Sequence, residues 1–279
     1  MSKFTSFQID SQTNNHNYKT TEFTSEYHIL SLSGGKDSTA LAFFMKENMP
    51  EIFEKTELVF CDTELELPET YDYLNKIEIF LDKKITWLRP EKSFAHLYDI
   101  RKFLPSIKNR WCTVELKIRV YRKFLKEHFK NASQINTYIG IRADELGRGL
   151  DETASADKVV NIFPFQDYGI TRDDVFKILN DVGIGLPKYY EWRKRSGCYF
   201  CFYQSPNDWL NLYEHCPELF YKAMEYEKFN NDGSKTYGWN MSYPLKDMIL
   251  PENIKKIREN FARNGKKKQV KNNLLIATI

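Results

Sequence analysis

Short apolar runs that alternate with longer amphipathic stretches predict an α/β fold. The expected form is a parallel sheet with helices on both faces, followed by a smaller, mostly helical C-terminal lobe. The first observation behind this is His28-Ile-Leu-Ser-Leu-Ser33, an apolar run that stops at Gly34-Gly35 and gives way to a helical pattern. The second is that the same strand-then-helix order recurs as far as Arg142, which calls for crossover connections. The third is a change of character after Arg148, where aromatic-rich helical stretches come to dominate.

In chain order, residues 28–33 read as a buried strand and Ser38 to about Asn48 as the helix that follows it. A second strand covers 57–63, and Pro68 opens a helix running to about Asp82. Strand 85–89, helix 115–129 and strand 136–142 complete the alternation. Glycine, acidic and small residues in 149–157 read as a mobile loop. Strand 159–165 and helix 172–182 come next, then helices at 206–213 and 217–228. This gives a flexible polar arm over 1–26, an α/β domain over 27–190, and a cysteine-containing lobe with a basic tail over 191–279.

Lys+Arg 41 against Asp+Glu 38 leaves a net charge of +3, and 42% of the 279 residues are hydrophobic. That composition excludes wholesale disorder and a surface coated with positive charge. No apolar run approaches the roughly 20 residues of a membrane helix. Met1–Thr20 lacks the basic start, apolar stretch and cleavage site of a secretory signal, so a cytoplasmic protein away from membranes is expected. Five cysteines, an odd number in so long a chain, do not indicate a disulfide framework and raise metal binding instead.

Ser33-Gly-Gly-Lys-Asp-Ser38 lies directly between a strand and a helix. Two glycines let the backbone approach a phosphate closely, the helix start adds partial positive charge, and Lys36 and Ser38 can reach phosphate oxygens. The loop is shorter than a G-x-x-x-x-G-K-[ST] P-loop, and Asp37 follows its lysine. Here the chain resembles the ATP-pyrophosphatase (PP-loop) superfamily, whose fold is adenine-nucleotide alpha-hydrolase-like. Many members of that superfamily cleave ATP between its α and β phosphates and adenylate an acceptor.

Two further segments narrow the resemblance to the phosphoadenylyl-sulfate (PAPS) reductase family. Asp62-Thr-Glu-Leu-Glu-Leu-Pro-Glu-Thr-Tyr71 is similar to D-T-G-x-x-[FL]-P-E-T-Y, with Glu64 where the family has glycine. Gly140-Ile-Arg-Ala-Asp-Glu-Leu-Gly-Arg148 is similar to G-x-R-x-x-E-S-x-x-R, with Leu146 and Gly147 departing from it. The resemblance spans roughly residues 28–205 and makes 27–190 a nucleotide-binding domain. It implies nucleotide contacts from Ser33, Gly34, Gly35, Lys36, Asp37, Ser38, Asp62, Thr63, Gly140 and Arg142. It implies catalytic roles for Lys36, Asp37, Asp62, Arg142 and Arg148, with Mg²⁺ held by Asp37 or Asp62.

Gly197-Cys-Tyr-Phe-Cys201 is a Cys-x-x-Cys pair beside Arg193, Lys194 and Arg195, a spacing that can clasp one metal or form a redox pair. Cys112 lies in a segment similar to the K-R-C-C-x-x-x-K of family members with a four-iron cluster, and Trp111 stands where their first cysteine would be. The expected ligands are Cys112, Cys198, Cys201 and, as the fourth, Cys216, with His215 a poorer candidate. A [4Fe-4S] cluster is the expected tenant and zinc the alternative. Cys61 reads as a buried core residue. The set is closest in character to the sulfur-incorporating, DNA-phosphorothioation-type branch.

The Glu-Cys-Gly-x-His segment of sulfonucleotide reductases is not found, and no cysteine follows Cys216. The reading is therefore an ATP-using enzyme that adenylates an acceptor, releases pyrophosphate and transfers sulfur, with a nucleic acid as one acceptor. A PAPS or adenylyl sulfate (APS) reductase is the alternative, and a non-catalytic nucleotide-binding module a further one. The partners expected are an adenine nucleotide, a sulfur-donor protein and nucleic acid. Trp239 and Tyr243 are the candidate base-stacking residues, and the lysines at 266, 267, 268 and 271 the candidate phosphate contacts. Against the latter stands a plain solvated helix and tail.

Overall fold

The computed structural model describes residues 25–145, 147, 158–230, 235–240 and 242–276. Nearly all of the expected arm, the expected loop 149–157 and Arg148 lie outside the described residues. Two compact units interleave along the chain. The first takes residues up to Phe60, 72–87 and 123–187, and the second takes 61–71, 88–122 and 188–279.

The sheet holds β1 (Glu26–Leu32), β2 (Thr56–Cys61), β3 (Ile85–Leu88), β4 (Gln134–Tyr138) and β5 (Val159–Ile162), in the order β3-β2-β1-β4-β5. β1 runs parallel to β2, with Leu32 opposite Phe60, and parallel to β4, with Leu30 opposite Tyr138. β4 runs parallel to β5. Because β2 lies on one side of β1 and β4 on the other, the strand order reverses at β1. In open α/β sheets that reversal leaves a crevice beyond the carboxyl ends of the two strands.

In chain order the helices up to residue 182 are α1 (Lys36–Asn48), α2 (Pro50–Lys55), α3 (Pro68–Leu81), α4 (Phe94–Arg101), α5 (Trp111–Thr113), α6 (Arg119–His128), α7 (Pro164–Asp167) and α8 (Arg172–Val182). In the first unit, Ala40, Leu41, Phe44 and Met45 of α1 pack in one core with Leu30, Phe60, Val175 and Leu179, and α1 lies against α8. Each such leucine or phenylalanine contributes about 1.5–3 kcal/mol by leaving water.

The second unit is mostly helical, with α9 (Pro206–His215), α10 (Pro217–Met224), α11 (Leu245–Met248), α12 (Pro251–Ile276) and a short antiparallel pair, β6 (Lys228–Phe229) and β7 (Lys235–Tyr237). It includes 61–71 and 88–122, where a linear division at 190 was expected. The reason is aromatic packing. Phe94 stacks on Trp111 at 4.9 Å and meets Phe200 at 4.5 Å, and Phe200 stacks on Trp239 at 4.8 Å. Leu67, Leu97, Tyr98 and Leu116 join the same core.

The observed bounds differ locally from the expected ones. The fourth strand ends at Tyr138, not at 142, and the fifth stops at Ile162 because Pro164 starts the helical turn α7. The expected helix 115–129 begins instead at Trp111 and carries a π turn over Val114–Ile118. Among the described residues no helix is long and apolar enough to cross a membrane.

Candidate functional site

β1 ends at Leu32, and Ser33–Gly35 lead straight into α1. Gly34 has φ +66°, a conformation glycine adopts without penalty. Gly35 precedes α1 in extended form, and no side chain caps the helix start. The Ser38 hydroxyl accepts from the Ser33 N–H at 3.0 Å and lies 3.0 Å from the Ser33 hydroxyl, so it braces the loop from within.

Lys36, although buried, donates to both carboxylate oxygens of Asp37 at 2.7 and 2.6 Å. Arg142, from the segment after β4, donates through Nη1 to Asp37 Oδ1 at 2.7 Å and through Nε to Asp144 at 2.8 Å, with Glu145 at 3.7 Å. Burial pulls the Arg142 pKa down, and the bonds to Asp37 and Asp144 outweigh that and raise it, so the guanidinium stays charged. An anion arriving here would draw two cations away from carboxylates that already hold them. Asp37 is engaged by both cations, Oδ1 by Lys36 and Arg142 and Oδ2 by Lys36.

The two loops also touch through backbone. A Cβ on Gly140 would lie 2.9 Å from the Asp37 carbonyl oxygen and 3.1 Å from the Ser38 nitrogen. Only glycine allows this approach without moving the phosphate loop.

Within the second unit, Asp62 accepts from the Glu64 N–H and the Tyr71 hydroxyl, each at 2.9 Å, and from Arg89 Nε at 3.0 Å. Its side chain is 2% exposed. These partners fix the 62–71 segment. Burial first, then the bond to Asp62, pushes the Tyr71 hydroxyl pKa up. Glu64 takes φ +61°, which explains why the family pattern carries glycine there.

Thr63 donates to Glu66 Oε1 at 3.2 Å and lies 3.4 Å from Cys198 Sγ. Cys198 Sγ is 3.8 Å from the same oxygen, and Lys117 Nζ is 3.7 Å from it. Lys117 sits on the π turn, a feature often found at functional sites. Burial lowers the Lys117 pKa, while Glu66, Cys198, Cys61 and Cys201 raise it further than burial lowers it. Glu66, Lys117 and Arg89 were not singled out from the sequence. Glu66 and Lys117 lie inside the quoted family segments, so acidic and basic residues within those segments were the available signal.

Cys112, Cys198 and Cys201 share this neighbourhood, each feeling or exerting the charge of another. Cys216 does not join them on this showing, since its acting charges are Glu69, Glu218 and Arg193. Burial raises the Cys112 thiol, and it lifts Cys198 to about 12 and Cys216 to about 11. Thiols held protonated are poor ligands until deprotonated. Among the described residues no three of His, Cys, Asp and Glu form a group that could hold a metal ion. The four expected cysteines are thus not gathered into one such group among the described residues. Trp111 fills a core position, stacked on Phe94 and 3% exposed, where the resemblance would put another cysteine. Cys61 is half-buried rather than a core residue, and its thiol lies 3.9 Å from the Lys117 carbonyl oxygen.

The expected base-stacking residue Trp239 is 6% exposed, with Nε1 donating to the Ala223 carbonyl at 2.7 Å. A ring so enclosed cannot receive a base. Tyr243 is partly buried against the same core. The lysines at 266, 267, 268 and 271 lie on α12 beyond the described side chains.

The family described as "Phosphoadenosine phosphosulfate reductase domain" matches residues 27–203. An uncharacterized protein of Methanocaldococcus jannaschii is 27% identical over 246 residues, covering 85% of this chain and 56% of that protein. The chain spans about half the length of the curated relatives it matches. A phosphoadenylyl-sulfate reductase from Candida auris, solved as a phosphate complex, overlays with a TM-score of 0.45 and 14% identity, covering 64% of this chain and 83% of that one. The U34-tRNA thiolase NcsA from Methanococcus maripaludis, solved with its [4Fe-4S] cluster, gives 0.45 and 16%, covering 71% of this chain and 69% of that one.

Proposed function

This chain belongs to the phosphoadenosine phosphosulfate reductase domain family, and we propose that it binds ATP on the loop after β1 and adenylates an acceptor for sulfur transfer. The observation that carries the reading is the meeting of Lys36 and Arg142 on Asp37, where Gly140 brings the two loops into backbone contact. The Ser33–Ser38 loop and the start of α1 take the phosphates, and Lys36 and Arg142 exchange Asp37 for phosphate oxygens.

An acceptor oxygen then attacks the α-phosphorus. The new bond is oxygen to α-phosphorus, the bond between that phosphorus and the bridging oxygen breaks, and pyrophosphate leaves with its developing charge met by the same cations. A sulfur nucleophile delivered by a donor protein displaces AMP from the acceptor, and nucleic acid is the acceptor class we favour. Asp62 and Thr63 serve as positioning residues of the 62–71 segment. No step is assigned to Mg²⁺ or to an iron–sulfur cluster.

A PAPS reductase reading has the family description in its favour. It needs a reactive thiolate, and burial raises three of the five thiols to about 11 or 12. The test is product analysis with α-labelled ATP and, separately, PAPS with a thioredoxin-type donor. AMP and pyrophosphate from ATP, lost in Lys36→Ala, is the expected result. Sulfite from PAPS, with ATP untouched, would replace adenylation by reduction.

A further inference from the structure

In the second unit, several cations lie over exposed ring faces. The Arg110 and Arg195 guanidinium carbons are 5.8 and 5.6 Å from the Tyr203 ring centre, and Lys194 Nζ is 4.5 Å from that of Phe261. Tyr203 and Phe261 are 41% and 40% exposed, so each ring stays open to solvent beside its cation. Phe261 and Lys194 belong to a cleft of about 570 Å³ whose walls also include Trp192, Asn207, Asn211 and His215. Trp192 and His215 stack in its wall, ring centres 5.0 Å apart and planes 8° from parallel.

The carboxylates of the cleft are largely engaged by neighbours. Asp208 accepts from the Ser205 hydroxyl at 2.7 Å, and Glu214 pairs with Arg258 at 2.7 Å. Glu191 remains exposed at the rim. Arg258 also donates to Asn207 at 2.7 Å and Asn211 at 2.6 Å, which fixes the cleft's polar side.

We propose that this face binds a single-stranded nucleic-acid segment, an inference that rests on nucleic acid as the acceptor class. One unpaired base enters the cleft beside Trp192 and His215, a neighbouring base stacks on Tyr203, and Arg110, Lys194 and Arg195 take the intervening phosphates. Each ring-and-cation pair matches the two parts of a nucleotide, a flat π face and an anion, whatever the base. A duplex hides its base faces and would leave the rings unused.

The probes are fluorescein-labelled oligo-dT and oligo-U of about 12 nucleotides, and the readout is anisotropy over roughly 50–200 mM salt. Wild type should bind at least one of them, and Tyr203→Ser should weaken binding by about tenfold through lost stacking. Replacing Arg110, Lys194 and Arg195 together by Ser should reduce the salt slope by about 2, since each phosphate contact on a single strand contributes about 0.7. Calorimetric ATP affinity should stay unchanged in both variants, which separates this surface from the nucleotide site. A wild type that binds neither oligonucleotide, variants that bind as well as wild type, equal affinity for a duplex, or loss of binding only on truncation before Lys266 would each overturn the proposal. Oligonucleotide binding without any ATP binding would leave this surface standing and remove the nucleotide reading.

Discussion

Lys36, Asp37 and Arg142 in the first unit are held by charge, whereas Cys112 and Cys198 in the second lie at the margin of an aromatic core. At the loop after β1 two cations share one carboxylate, and in the proposed reading a phosphate takes both. At Cys112 and Cys198, burial favours the neutral thiol, so chemistry there begins with a proton leaving a low-dielectric place. The first region is organised by ion pairs, and the second by burial of neutral thiols. The difference sets charge pairing in one region against desolvation in the other.

The largest effect should come from breaking the aromatic support. Trp111→Ala removes a ring packed on Phe94 and should cost about 3–5 kcal/mol in denaturant unfolding. A cost below about 1 kcal/mol would mean that the cysteine region does not depend on that core. Next, Gly140→Ala presses a methyl on the Asp37–Ser38 backbone. Overpacking of this kind costs about 1–3 kcal/mol, and ATP affinity by calorimetry should fall tenfold or more if the loop shape is what binds. Unaltered affinity would show that the loop tolerates displacement.

The thiols sharpen the contrast through pH. Cys198 is raised from 9.0 to about 12, so the unfolded chain releases its proton first. The stabilisation is fully present below pH 9 and is lost as pH rises towards 12. Unfolding free energy followed across that range should decline, and Cys198→Ala should make the decline shallower. A slope identical in the two proteins would count against buried, neutral Cys198. The smallest effect belongs to Glu64, whose φ of +61° suits glycine better. Glu64→Gly should stabilise the chain by up to about 1 kcal/mol, as a shift in thermal midpoint.

The phosphate loop was legible because its chemistry is contiguous: six residues, a strand before and a helix after. Gly140 and Arg142 were legible through their own short motif, but their contact with Asp37 required the β1–β4 pairing. What stayed hidden was composed by packing over long separations. Trp239 looks like a base-stacking residue in a basic, aromatic ending, and Phe94 and Phe200 from distant segments enclose it. The alternation of β1 to β4 was visible, whereas α2 and α4 were not, being helices of 6 and 8 residues with little periodicity to read. The interleaving of 61–71 and 88–122 into the second unit depends on which apolar residues find the aromatic core, and no local pattern encodes that.

In the proposed reading the loop after β1, with Lys36 and Arg142, is an adenine-nucleotide site. Isothermal titration of ATP into wild type, Lys36→Ala and Arg142→Ala tests it most directly. The account predicts measurable wild-type binding and a loss of about 1.5–3 kcal/mol in each variant, the range of a charge-assisted hydrogen bond. Equal affinity in all three proteins, or no heat from any of them, would contradict it.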